Sequence, residues 1–139
     1  MVKLKDNRQS LDYYFKSLKA NEEVANNDGL NALNYAGIGG IYQEQGDLIK
    51  AKEYYITALR MADSLDDKIL TGSTLVRIGA LDLIQLNYKD AELHLHSALK
   101  ISATIGNLVN QRDAYQKLSE LYETESKWIF SIASVLSLP

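Results

Sequence analysis

Apolar residues recur at intervals of three and four along most of this chain, which is the period of an amphipathic α-helix. Two sets in the stretch 33–60 each lie on one helix face: Tyr35, Ile38 and Tyr42, then Ala51, Tyr55 and Ala58. The β-branched and aromatic residues do not alternate with polar ones over the length of a strand. The pattern therefore predicts an all-α protein.

Short polar clusters mark the helix boundaries, since the only proline, Pro139, is the last residue. Gly46 supplies a left-handed residue that ends one helix, and Asp47 supplies an acceptor for the free N–H groups of the next. Similar clusters occur at 26–29, 66–67, 87 and 106–107, and Ser126 is a weaker cap candidate. They predict seven helices at roughly 4–26, 29–45, 48–65, 68–86, 88–105, 108–124 and 127–137.

The segment 30–69 recurs, at an offset of forty residues, in 70–109. Identical residues fall mostly at core-type positions: Leu30 and Leu70, Ile38 and Ile78, Gly39 and Gly79, Gln45 and Gln85, Ala51 and Ala91, and Ala58-Leu59 and Ala98-Leu99. A degenerate third copy follows, in which Tyr115, Leu118, Ser119 and Tyr122 align with Tyr35, Ile38, Gly39 and Tyr42. The chain is thus predicted to be a single array over 1–139, made of a half repeat (1–28), two repeats (29–68 and 69–108) and a degenerate terminal repeat (109–139).

These residues resemble the tetratricopeptide repeat, whose signature orders a large aromatic, Leu-Gly, Tyr, Ala, Phe and Ala along a helical hairpin. The second copy departs from it by placing Asp82 where the tyrosine belongs. The period also departs, being forty instead of about 34 residues, and is similar to that of arrays in bacterial signalling and regulatory proteins. The resemblance implies an α-solenoid of antiparallel helix hairpins, with a right-handed superhelix.

Composition excludes several classes of function. The formal charge of −3 and pI near 5.3 give no basic footprint for nucleic acid, and the chain has no cysteine for a disulfide or a thiolate metal site. The N-terminus shows no secretory signal, and the apolar run 128–138 is shorter than the roughly 18 residues that span a bilayer. The expected location is the cytoplasm, with no membrane span.

Candidate catalytic and metal-binding residues are few. His94 and His96 stand two apart on one predicted helix, about 200° from each other, so they are interpreted as ordinary helix histidines and not as a shared metal site. The run 37–40 is rich in glycine, but no strand precedes it and no Lys-Ser or Lys-Thr follows, which favours packing over phosphate binding. We predict no enzyme activity, no cofactor and no metal.

The resemblance implies a concave groove lined by the first helix of each hairpin, where a partner peptide or helix would bind. The residues that it places there are Leu33, Ala36, Gly40, Gln43, Glu44, Ser73, Val76, Ala80, Leu83, Ile84, Asp113, Gln116, Glu120 and Glu123. This set is apolar in the middle and acidic at one end, which favours an amphipathic helix with a basic flank. In the alternative interpretation Leu83 and Ile84 only pack against a neighbouring helix.

Two functions remain open. The first is a protein-binding scaffold, a bacterial signalling or regulatory adaptor, and the second is the sensory fragment of a larger histidine kinase or transcription regulator. In addition, the first helix (Leu4, Leu11, Phe15 and Leu18) and the apolar run 128–138 carry surfaces that predict a homodimer through the end helices.

Overall fold

The computed structural model describes residues 2–24 and 27–137, and six α-helices account for nearly all of them. Their bounds are α1 (Val2–Val24), α2 (Asp28–Glu44), α3 (Leu48–Ser64), α4 (Lys68–Ile84), α5 (Tyr88–Ile105) and α6 (Leu108–Leu136). Within the described ranges no strand occurs. The predicted all-α class, built of helical hairpins in the manner of an α-solenoid, is confirmed.

One predicted boundary is wrong. No turn separates the segments 108–124 and 127–137, which form the single helix α6. The physical reason is that 124–127 holds no glycine or proline, while its Glu and Lys favour helix and Ser126 alone cannot end one. At the other end of the chain, the predicted end of the first helix at residue 26 lies outside the described residues.

The turns at 46–47 and 106–107 are built as the polar clusters predict, whereas Asn87 begins α5 without a side-chain cap hydrogen bond. Gly46 adopts a left-handed φ of 82°, and the Asp47 carboxylate accepts a hydrogen bond from the Lys50 N–H at 3.1 Å. Gly106 repeats the left-handed conformation with φ 72°, followed by Asn107 as the cap of α6. Among the residues that the structure describes, two with left-handed φ are not glycine: Asp66 and Leu86, with φ of 55° and 62°. Leu86 is forty residues after Gly46, so one type of turn occurs in both repeats with a different residue.

The chain divides into two compact units, Met1–Thr74 and Leu75–Pro139. The division falls inside α4, whereas the sequence places a repeat boundary at 68, and the single array with boundaries at 28, 68 and 108 stays a prediction.

In the first unit, α2 and α3 are antiparallel and approach closely at Gly39. A Cβ on Gly39 would lie 2.6 Å from the ring of Tyr55 and 3.1 Å from the carbonyl oxygen of Ala51. The first unit is closed by a buried cluster of Ala32, Ala62 and Leu70.

Helix α1 packs on α2 through small and polar residues. The Tyr14 ring covers Gly37, where a Cβ would lie 2.4 Å from the ring. The Asn34 amide donates a hydrogen bond to Ser17 Oγ at 2.9 Å, and Asn21 donates to Asn31 Oδ1 at the same distance. Helix α1 therefore covers one face of α2.

The second unit repeats the close approach. A Cβ on Gly79 of α4 would lie 2.6 Å from Cγ of Leu95 on α5, and Leu95 is fully buried. The face of α6 that meets this unit's core carries Ala114, Leu118 and Leu121, all buried. Glycine on the first helix facing a large apolar residue on the second is thus the shared packing device of both hairpins.

Candidate partner-binding surface

The candidate residues on α2 are only partly available to a partner. Leu33 is 55% exposed and Glu44 is exposed, whereas Ala36 is buried. Gly40 is half-buried, and the Gln43 side chain accepts a hydrogen bond from the hydroxyl of Tyr55 at 2.7 Å. This bond ties Gln43 to the interior of the hairpin, so Leu33 and Glu44 offer the larger part of the accessible surface.

The candidate residues on α4 divide in the same way. Val76 is buried, and Ser73, Ala80 and Leu83 are half-buried. Ile84, in the last turn of the helix, is 55% exposed. Among the candidate residues on α4, Ile84 is therefore the most accessible for an apolar contact with another molecule.

The candidate residues on α6 are polar and paired along their own helix. Asp113 forms an ion pair with Arg112 at 2.9 Å, Glu120 with Lys117 at 3.1 Å, and Glu123 with Lys127 at 3.0 Å. Gln116 is exposed. Because each carboxylate has a basic neighbour, the negative charge of this surface is largely offset, and the surface is less acidic than the candidate residues alone indicate.

Four aromatic side chains form a cluster on the first unit, and its geometry is that of packing between helices. Tyr54 of α3 lies between Tyr35 and Tyr42 of α2, with ring centroids 6.1 and 5.5 Å apart and nearly parallel planes. Phe15 of α1 meets Tyr54 edge-on at 6.5 Å. Partial burial raises the pKa of the Tyr54 hydroxyl, and the neighbouring Tyr42, Tyr35 and Glu53 raise it further.

The two histidines contact different partners. His94 Nδ1 lies 2.6 Å from the carboxylate of Asp82, which is fully buried, so the imidazole N–H donates into the interior of the hairpin. His96 Nε2 lies 2.9 Å from the hydroxyl of Tyr122, which also donates to Glu92. Burial and the bond to Glu92 raise the pKa of Tyr122.

Asp82 and His94 stand forty residues after Tyr42 and Tyr54. The departure of the second copy from the repeat signature is therefore explained by a replacement of both contact residues together. A stacked pair of tyrosines in the first hairpin becomes a hydrogen-bonded acid and imidazole in the second. The sequence analysis identifies the replacement of Tyr42 by Asp82. The replacement of Tyr54 by His94 is visible in the same forty-residue alignment.

No three His, Asp or Glu side chains are grouped so that they could hold a metal ion in the described residues. No described helix is long and apolar enough to cross a membrane.

Comparison with known families gives a match to this chain. The family described as Tetratricopeptide repeat matches residues 30–104, which is more than half of the 139 residues. The matched range begins in α2 and ends in α5, and so contains both close-packed hairpins. A search of curated proteins finds no match.

Proposed function

Because the chain belongs to the tetratricopeptide repeat family, we propose that it is a non-catalytic scaffold. It binds a peptide or a partner helix through the first helix of each hairpin, α2 and α4. Repeats of this family generally mediate contacts between proteins. The observation that carries the proposal is the exposure of Leu33 and Ile84, large apolar side chains on first helices at positions outside the repeated core signature. The residues that repeat are used for packing, so residues between them are free to select a partner.

In the first unit the proposed contact surface is centred on Leu33 and Glu44 of α2, with Gly40 and Gln43 beside them. In the second unit it is centred on Ile84 of α4, with Ala80 and Leu83. Ala36 and Val76 are buried and would support these surfaces from below. Apolar anchors at helical spacing are what a groove presents to the apolar face of an amphipathic helix.

The α6 residues Asp113, Gln116, Glu120 and Glu123 would form the polar rim of the second surface. A partner with a basic flank remains compatible with them, because exposed ion pairs contribute only about 0–1 kcal/mol each and can exchange partners. The ion pairs within α6 nevertheless predict that this flank adds little affinity. The apolar contacts at Leu83 and Ile84 would carry most of the binding energy.

The forty-residue period, which is similar to that of arrays in bacterial signalling and regulatory proteins, supports a role as a signalling or regulatory adaptor, which we place in the cytoplasm. The alternative is that the array is the sensory part of a larger histidine kinase or transcription regulator. A longer reading frame that encodes a kinase or a DNA-binding domain next to this segment would favour the alternative. A separate gene beside a regulator would favour the adaptor.

The proposal is tested by affinity capture with two variants that differ only in position. Ile84→Glu places a charge on the proposed surface, and Leu93→Glu places the same charge on another exposed apolar residue, in α5 (66% against 55% exposed). We expect quantitative mass spectrometry of captured proteins to show a partner that the wild type and Leu93→Glu retain and Ile84→Glu loses. Equal recovery with all three chains would refute the surface assignment.

A further inference from the structure

The core-facing residues of α6 continue beyond the core. Ala114, Leu118 and Leu121 are buried, at alternating intervals of four and three. The same intervals lead through Glu125 to Trp128, Ile132 and Val135, so one stripe runs along one side of the helix. Alternation of three and four is the spacing by which a helix presents a seam to another helix.

The second half of this stripe is uncovered. Every residue from Ser126 to Ser137 is exposed, and Trp128, Ile132 and Val135 are 61%, 43% and 69% exposed. Helix α5 lies antiparallel to α6, with Tyr122 bonded to Glu92, and it begins only four residues before Glu92, at Tyr88. The segment from Ser126 therefore extends past the start of α5, by about 15 Å at 1.5 Å per residue.

We propose that this segment, 126–136, pairs antiparallel with the same segment of a second copy of the chain. An antiparallel pair related by a twofold axis brings Ile132 against Ile132 of the second copy, and Trp128 against Val135 and Leu136. The largest side chain of the stripe thus meets smaller ones, and each contact occurs twice. The stripe is self-complementary in shape.

Charge favours the same occupant. No charged residue occurs in 128–137, so the surface offers nothing that would select an acidic or a basic partner. It also brings no like charges together when two copies meet. The apolar side chains of 128–136 offer on the order of several hundred Å² of surface, about the size of the largest apolar patch on a typical monomer, and such a patch often marks a contact site. A stable interface takes about 800 Å² from each partner, so the pair forms a dimer that dissociates on dilution.

A cross-linking experiment tests this pairing directly, because the natural chain contains no cysteine. Facing residues of two helices 8–10 Å apart have Cα atoms within roughly 4–6 Å, which suits a disulfide. Ile132→Cys should therefore give a covalent dimer under mild oxidation at low protein concentration. Phe130→Cys is the matched control, since Phe130 is 74% exposed on the same segment but lies about 200° around the helix from Ile132.

Charged variants supply an independent measurement in the intact chain. In sedimentation equilibrium the wild type should dimerise, and Ile132→Asp should raise the dissociation constant by about 100-fold, because two like charges would meet at the axis. Phe130→Asp should leave the constant within about threefold of the wild type. Circular dichroism should show unchanged helix content in both variants, because neither side chain packs in a core.

Several outcomes would overturn the pairing. A wild type that stays monomeric at all soluble concentrations would do so, as would equal cross-linking of the two cysteine variants. Equal loss of dimer in both aspartate variants would show that the stripe does not define the contact. A monomer that instead floats with phosphatidylcholine vesicles would assign the segment to a lipid surface and refute the second copy as its occupant.

Discussion

The close approach of α2 and α3 at Gly39 makes a sharp prediction about the substitution Gly39→Ala. The added Cβ would lie 2.6 and 2.7 Å from two ring carbons of Tyr55, well inside an ordinary contact distance. Tyr55 is 1% exposed, and its hydroxyl is held by Gln43 at 2.7 Å, so the ring has little room to move. The two helix axes must separate, or the ring must leave its position.

The magnitude follows from two opposing effects. Overpacking a core by one methyl group costs about 1–3 kcal/mol. Replacing a helical glycine with alanine contributes about 0.8–1 kcal/mol of helix propensity. Gly29→Ala isolates the second effect, because Gly29 also lies in α2 but its Cβ would meet nothing closer than 3.6 Å. The difference in unfolding free energy between the two variants should therefore be about 1–3 kcal/mol, with Gly39→Ala the less stable.

Urea denaturation followed by far-ultraviolet circular dichroism measures this difference. Gly29→Ala should raise the urea concentration at the unfolding midpoint or leave it unchanged. Gly39→Ala should lower this concentration or leave it unchanged. If both variants shift the midpoint upward to the same extent, the helices do not approach closely at Gly39 and the packing argument fails. Gly79→Ala, which would meet Leu95 at 2.6 Å, should behave as Gly39→Ala does.

Three further predictions concern the differences between the repeats. Leu86→Gly should raise the unfolding free energy by about 1 kcal/mol in the same assay, since Leu86 has a φ of 62° that glycine adopts without strain; a loss of stability would contradict this. A double-mutant cycle of Asp82→Ala and His94→Ala should give a coupling energy of about 0.5–3 kcal/mol, because the two side chains are in contact, and additive effects would argue against their hydrogen bond. In an ultraviolet absorbance titration, Tyr54→Phe should remove a component that ionises above the usual pH of about 10. Tyr54 has a lower pKa in the unfolded chain than in the folded protein, so the unfolded chain loses this proton first as the pH rises. The unfolding free energy should therefore fall as the pH increases above about 10, and it should fall less in Tyr54→Phe.

The helical hairpins could be predicted because each determinant is local in the sequence. The forty-residue repetition of Gly39 and Ala51 identifies close-packed helix pairs, and Gly46 with Asp47 marks the turn between them. The continuity of α6 through Ser126 was missed, because a polar residue that can cap a helix can also sit within one. The continuity is decided locally, because 124–127 contains no glycine or proline and the residues 126–137 that follow are exposed.

The candidate surface could be predicted only in part, because burial depends on contacts between residues distant in sequence. Ala36 lies about one helical turn from the exposed Leu33, and Val76 lies about two turns from the exposed Ile84. Both are nevertheless buried, by neighbours that the sequence pattern does not specify. The bond from Tyr55 to Gln43 joins two helices and cannot be deduced from spacing. The ion pairs of α6 could have been anticipated, since Glu123 and Lys127 stand four apart.

The central claim is that residues between the repeated core positions contact a partner protein. The most direct test places a photo-activatable cross-linking amino acid at Ile84, and in a second chain at Leu93, and irradiates the source cells. The account predicts a cross-linked band with a different protein from position 84 and none from position 93. Equal cross-linking at the two positions, or a partner captured from position 93 alone, would contradict it.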